Sequence, residues 1–367
     1  MKLRAWLIHG LLVLAGAAGG FLFAELSVRW MYGRRIVLYP RYHTDAYYND
    51  FHIRRLRPNS TFWHRCAGGS WKFVTNAQGF RDTRPYLYPK PPSTLRTICL
   101  GDSHTEGFEV RQDRTYSEIL ESRLRREGRD AEVMNAGISG FGTAEQLVFL
   151  ENEGIKYAPD FVVLAFSAND LDDNVKCGLF RVQDGELVVN SKEHVPGVKI
   201  LNTINRFGPV RWLSENSYFY SFFFNQVWTF YKRSLSKDRS VEAVTEYAGR
   251  PPDPDEALFR YQCELTRLLV RRMHEFCHEH GVRLIILELP AGQHGRKFVP
   301  SIPEALLAAF RESSDALLLA EDVLRDFPGT DGVFVPYGQM HISEATHLVL
   351  GAAVAKKIEA LDARAVQ

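Results

Sequence analysis

Short unbroken apolar runs punctuate the chain, and each gives way to a polar turn. Phe161 to Phe166 (Phe-Val-Val-Leu-Ala-Phe) is apolar at every position, the pattern of a strand covered on both faces. Thr97 to Leu100, Ala131 to Met134 and Leu284 to Leu287 are similar, and Val333 to Val335 is a weaker fifth run. Segments of helical period separate them. The clearest begins near Asp255 and sets Leu258, Gln262, Leu265, Leu269 and Phe276 near one stripe, with Gly281 as its stop. Strands alternating with helices predict an α/β chain, a three-layer α/β/α sandwich around a five-strand parallel sheet.

Parallel strands all deliver their carboxyl ends to one edge, so residues far apart in sequence converge there. The turns that follow the runs carry suitable chemistry. Gly101-Asp102-Ser103-His104 follows the first and Asn135-Ala136-Gly137-Ile138-Ser139-Gly140 the second. Ser167-Ala168-Asn169-Asp170 follows the third, Gln293 and His294 lie beyond the fourth, and His341 beyond the fifth. A hydroxyl, a glycine N–H, an amide and an imidazole are thereby offered to one edge.

At these residues the chain resembles the SGNH hydrolase, or GDSL-like lipase/acylhydrolase, family in its membrane-anchored bacterial form. Gly101-Asp102-Ser103 matches the first block of that family, Gly140 the second, Asn169-Asp170 the third, and His341 in His-Ile-Ser-Glu-Ala-Thr-His the fourth. The resemblance covers roughly residues 95 to 176 and 280 to 361. It implies a flavodoxin-like strand order, Ser103 as nucleophile and His341 as its base. The oxyanion hole would be the Ser103 backbone N–H, Gly140 and Asn169. Two positions depart from the family's pattern. Gly338 stands where an aspartate usually precedes the histidine by three residues, so the triad acid is missing from its usual place. A backbone carbonyl or a carboxylate from elsewhere, such as Asp331, is expected to substitute. Thr346 replaces a customary glycine five residues after the histidine, a mild change at a helix start.

The residue types suit these roles. A serine hydroxyl is a weak nucleophile and needs a neutral imidazole to take its proton as it attacks a carbonyl. Fixed N–H donors then stabilise the negative oxygen that develops. Glycine admits close approach to its backbone, and asparagine supplies a neutral amide donor. Other polar residues read as structural. Asp102 and Asp170 suit turns, His104 should point away from its neighbour Ser103, and His294 reads as an exposed loop histidine. His347 shares no helix face with His341 and reads as structural. Glu106 and the Asp172-Asp173 pair are expected to be solvated.

Composition adds bounds. A chain of 367 residues with 45% hydrophobic and 24% charged residues can bury a large core, and a net charge of +1 argues against a nucleic-acid surface. Five cysteines form no metal-binding spacing, and no phosphate loop appears, so neither a metal nor a cofactor is expected. The amino terminus is distinctive. Ala5 to Ala24 is a 20-residue stretch with no acid or base, long enough for a bilayer core of about 30 Å. A cleaved signal peptide competes with this reading, but the apolar run continues past Ala15-Gly16-Ala17 through Phe21-Leu22-Phe23 and favours a retained anchor. The resemblance implies a catalytic domain outside the cytoplasm.

The expected organisation is an anchor over residues 1–35, an extension over 36–94 belonging to the catalytic unit, and an α/β domain over 95–361 interrupted by an insertion over 177–254. Two dense aromatic runs, from Ser217 to Phe224 and from Val227 to Tyr231, end at Lys232-Arg233. They suit a lid, an interfacial helix or plain packing against the core, packing being the default. The expected function is that of a serine esterase acting on an ester or an acylated carbohydrate. O-acetyl transfer on an envelope polysaccharide is the alternative, and a non-catalytic scaffold or carbohydrate-binding protein is the rival from another class. Oligomeric state is not readable.

Overall fold

A computed structural model describes residues 2–40, 43–193, 200, 203–248, 253–294, 297–327, 332–338 and 340–365. Its centre is a parallel sheet of β5 (Leu95–Leu100), β6 (Ala131–Asn135), β7 (Phe161–Phe166), β10 (Arg283–Glu288) and β13 (Ala316–Leu318), in the order β13-β10-β7-β5-β6. Renumbered within the sheet, this is the flavodoxin-like order 2-1-3-4-5. Every residue of β5 and β7 is buried, because helices cover both faces. The side chains alternate accordingly. Ile98, Leu100, Val162, Leu164 and Phe166 join one core, with α4 (Thr143–Asn152), α8 (Pro254–Glu279) and α9 (Glu304–Glu312). Cys99, Val163, Ala165, Ile285 and Leu287 join the other, with α3 (Tyr116–Arg126) and α11 (Glu344–Ala365).

The fifth strand is a correction to the sequence reading. Ala316–Leu318 fills that place, pairing in parallel with Ile285 to Leu287. Its neighbour Asp315 fixes the register, since the Leu284 N–H donates to the Asp315 carboxylate at 2.7 Å. The run Val333 to Val335 instead braces a loop. Phe334 forms an isolated antiparallel bridge with Ile342, and the Val335 N–H donates to the His341 carbonyl at 2.8 Å.

The extension folds as two antiparallel hairpins, β1 (His43–Tyr48) with β2 (Phe51–Leu56) and β3 (Thr61–Cys66) with β4 (Gly69–Val74). Ile53, Leu56, Phe62 and Phe73 enter the same core as the sheet. Further short hairpins follow, β8 (Phe180–Gln183) with β9 (Glu186–Val189) and β11 (Gly292–His294) with β12 (Lys297–Val299). The strand-end turns open into α2 (Ser103–Glu106) and α5 (Asp170–Cys177), and α10 (Ala320–Val323) follows β13.

At the amino terminus, α1 (Lys2–Tyr32) is long and apolar enough to cross a membrane, and its apolar window is buried nowhere within the molecule. The insertion contributes α6 (Gly208–Asn216) and α7 (Tyr218–Ala248). Both aromatic runs lie on the single helix α7, which continues beyond Lys232-Arg233 to Ala248. Glu25 of α1 ties the two parts together. Its carboxylate accepts from the Ser217 hydroxyl at 2.7 Å and from the Tyr218 and Phe219 N–H groups at 3.0 and 2.9 Å, satisfying donors that open the first turn of α7.

Candidate active site

Ser103 sits just beyond β5, at the first position of α2. Asp102 caps that turn, its carboxylate accepting from the His104 N–H at 2.8 Å. Ser103 Oγ lies 2.8 Å from His341 Nε2, although the two residues come from opposite ends of the catalytic domain. On the far side of the imidazole, Nδ1 is 2.9 Å from Glu109 Oε2. A carboxylate only accepts, so Nδ1 carries the proton and Nε2 is left to accept from the serine.

Glu109 was missed by sequence reasoning. It is buried and adopts a left-handed backbone, with φ of +65°, rare for a residue with a side chain. A Cβ added to Gly338 would stand 2.8 Å from Glu109 Oε2, so the glycine at the customary acid position leaves the room that Glu109 occupies. A carboxylate between Phe108 and Val110, with no solvent role to explain it, was the available signal. Asp331 lies outside the described residues.

Arg81 of the extension supports the Glu109 loop. Its guanidinium is fully buried and donates to the carbonyls of Glu106 at 2.6 Å, Gly107 at 2.5 Å and Val110 at 2.7 Å. Burial pulls its pKa down to about 10, with Glu106 opposing the shift. Phe108 forms the wall beside the imidazole, with its ring 4.9 Å from that of His341. Beyond it, His64 is buried among Phe108, Tyr39 and Trp71, and burial holds its pKa well down, keeping it uncharged. Phe108 also lines a cavity, together with Val37, Tyr39, Ser221, Phe224 and Asn225.

Gly140 has φ of +77°, which places it where glycine is favoured, and Arg54 Nη2 would be 2.9 Å from a Cβ there. Glu106 holds the adjoining turn. Expected to be solvated, it is instead completely buried. It accepts from the Ser139 N–H and hydroxyl at 2.5 Å each and from the Tyr39 hydroxyl of the extension. The same correction applies to Asp173, which is buried, while Asp172 accepts from Gln262 Nε2 at 2.6 Å.

Asn169 is exposed at the cleft, but its amide nitrogen already donates at 3.0 Å to both Asp102 and Asp173. Asp170 braces the turn, accepting from the Ser167 N–H at 2.8 Å. Burial, and after it the nearby Asp102 charge, push the Asp170 pKa well up. Of the other histidines singled out in the sequence, His104 lies beside the imidazole, its ring centroid 5.1 Å from that of His341, whereas His294 and His347 make no hydrogen bond or ring contact with the Ser103–His341–Glu109 chain among the described residues. His104 accepts from the Ile342 N–H at 3.4 Å, and burial lowers its pKa to about 4. His294 is exposed on β11. His347 is buried in α11, where its Nδ1 accepts from the Tyr116 N–H at 3.1 Å.

Residues 99–306 match the model of the GDSL-like Lipase/Acylhydrolase family. The chain belongs to that family, whose members are hydrolases acting on ester bonds. An arylesterase of Vibrio mimicus is 31% identical over 75 residues, which are 20% of this chain and 38% of that protein. The chain thus matches well under two thirds of this relative's length. Among solved structures, the lipase/acylhydrolase from Enterococcus faecalis is 17% identical, with 72% of this chain and 96% of that one covered and a TM-score of 0.37. The esterase EstA from Pseudoalteromonas sp. is 12% identical, with 72% and 97% covered and a TM-score of 0.39.

Proposed function

We propose that this chain is a membrane-anchored serine esterase that cleaves an O-acyl ester through an acyl-serine intermediate. The observation that carries the reading is the continuous hydrogen-bonded chain from Ser103 Oγ through His341 to Glu109. Ser103 attacks the ester carbonyl and passes its proton to His341 Nε2. Glu109 holds the tautomer and balances the imidazolium. The former carbonyl oxygen faces the Ser103 backbone N–H, Gly140 and Asn169, whose amide turns one hydrogen from a carboxylate to the oxyanion. The protonated imidazole then releases the alcohol, and water activated by the same nitrogen hydrolyses the acyl-serine.

Water as acceptor makes the protein an esterase, and a sugar hydroxyl in the same place would make it an O-acetyltransferase. A glycine at the customary acid position would favour a non-catalytic scaffold, but Glu109 supplies a carboxylate to the imidazole from elsewhere. Residues 1–35 serve as the anchor, 36–94 complete the catalytic unit through Arg81 and Tyr39, and the domain over 95–361 faces the extracytoplasmic side. Incubation of the full chain with an aryl acetate tests the chemistry. The expected result is a burst of phenol that Ser103→Ala abolishes. A burst that survives the substitution rejects the acyl-serine mechanism.

A further inference from the structure

The outer face of α7 continues the surface of α1. Phe219, in the first turn of α7, packs edge-on against Phe21 of α1, with ring centroids 5.7 Å apart. Residues four, eight and eleven positions further along fall on that same face of an α-helix. They are Phe223, Val227 and Phe230, exposed by 61%, 54% and 76%. The stripe from Phe219 to Phe230 runs about 17 Å. The opposite face of α7, with Ser221, Phe224 and Asn225, turns inward to the cavity that Phe108 lines. Phe207, which precedes α6, and Trp212 within it are likewise exposed.

No charged residue occurs in α7 before Lys232. Because Phe219 touches Phe21, the medium that covers this part of α1 also meets the stripe. Exposed Arg29, Arg34 and Arg35 neighbour exposed Trp30 in sequence at the end of α1, and exposed Arg206 and Arg211 neighbour exposed Trp212 at α6. That combination of amphipathic aromatics and basic side chains suits the headgroup zone of an anionic membrane.

We propose that α6 and α7 form a platform lying on the bilayer surface where α1 emerges, with Phe223, Val227 and Phe230 seated at the boundary between headgroups and acyl chains. The proposal rests on the reading of α1 as an anchor. The platform, joined to α1 through Glu25 and to the catalytic wall through its inner face, holds the cleft at a fixed height above the lipid.

Site-directed nitroxide labelling of the full chain in phosphatidylcholine/phosphatidylglycerol vesicles tests it. Labels are placed at Leu14→Cys, Phe223→Cys, Phe230→Cys and, as an aqueous reference, Lys356→Cys. The background carries Cys66→Ser, because the other four cysteines are buried. Accessibility to oxygen and to a nickel chelate reads depth. The expected result is the bilayer interior for residue 14, a depth of about 5–10 Å for residues 223 and 230, and water for residue 356. Water exposure at 223 and 230 with residue 14 still in the interior overturns the platform and leaves the anchor standing. Water exposure at all four positions overturns both. Spin–spin broadening at residue 223 that vanishes on dilution with unlabelled chain assigns the face to a second copy and also overturns the proposal. All four labelled side chains are exposed, so unchanged circular dichroism and melting confirm that each variant is folded.

Discussion

Gly338 and Glu109 act as one unit. The acid reaches the imidazole from the loop that follows the nucleophile, and the missing Cβ gives its carboxylate space. Glu109→Gln is expected to lower kcat by on the order of 10²- to 10⁴-fold while changing KM little, measured on an aryl acetate. Restoring the family's customary geometry provides a stricter check. Glu109→Ala with Gly338→Asp should recover part of the activity lost in Glu109→Ala alone, and no recovery would show that the glycine serves another purpose. Asp170 gives a pH prediction. An unfolded aspartate ionises near 3.8, whereas burial keeps Asp170 protonated to well above that value. Across that window the folded chain binds more protons than the unfolded one, so this group's contribution to stability falls as pH rises. Asp170→Asn should flatten that fall, as read from thermal unfolding in detergent from pH 4 upward. Ser103 was legible as a candidate because its turn follows the apolar run of β5, and His341 because its block resembles that of the family entering the last helix. Glu109 was not, because its apolar neighbours Phe108 and Val110 hint at burial but say nothing of a partner 232 positions away.

Among the elements, the long apolar strands were the easiest to foresee. Six consecutive apolar residues in β7 leave little alternative to a strand buried on both faces. Ala316–Leu318 escaped notice because three half-buried residues carry no period, and its place in the sheet comes from pairing with β10. The role of the extension was equally hidden, since it lies in long-range contacts such as those of Arg81, in the turn that follows β4. Arg81→Leu removes a buried cation from three carbonyls, each such bond being worth about 1.5–3 kcal/mol. The expected outcome is a melting temperature lower by many degrees, together with loss of activity from the displaced Glu109 loop. A variant that melts like the parent would show that the carbonyls find other partners.

For the molecule as a whole, the amino-terminal helix meets the start of α7 through the Glu25 carboxylate and through ring contacts such as Phe21 on Phe219 and Tyr32 on Phe222. Glu25→Ala leaves the opening turn of α7 without its acceptor, at a cost of about 1 kcal/mol by analogy with helix caps. Faster amide exchange confined to the start of α7 is the expected result, with turnover of a soluble ester changed little. The apolar run of Ala5 to Ala24 points to a separate amino-terminal helix, but its tie to α7 was not legible, because Glu25 and Ser217 are 192 positions apart. The placement of the acid has a wider consequence. The proposed nucleophile and acid both come from a single stretch of seven residues, Ser103 to Glu109, and the carboxy-terminal loop delivers only an imidazole. That loop no longer has to carry a carboxylate, only to leave room for one at Gly338. A search pattern that demands aspartate three places before histidine will pass over every protein wired in this way.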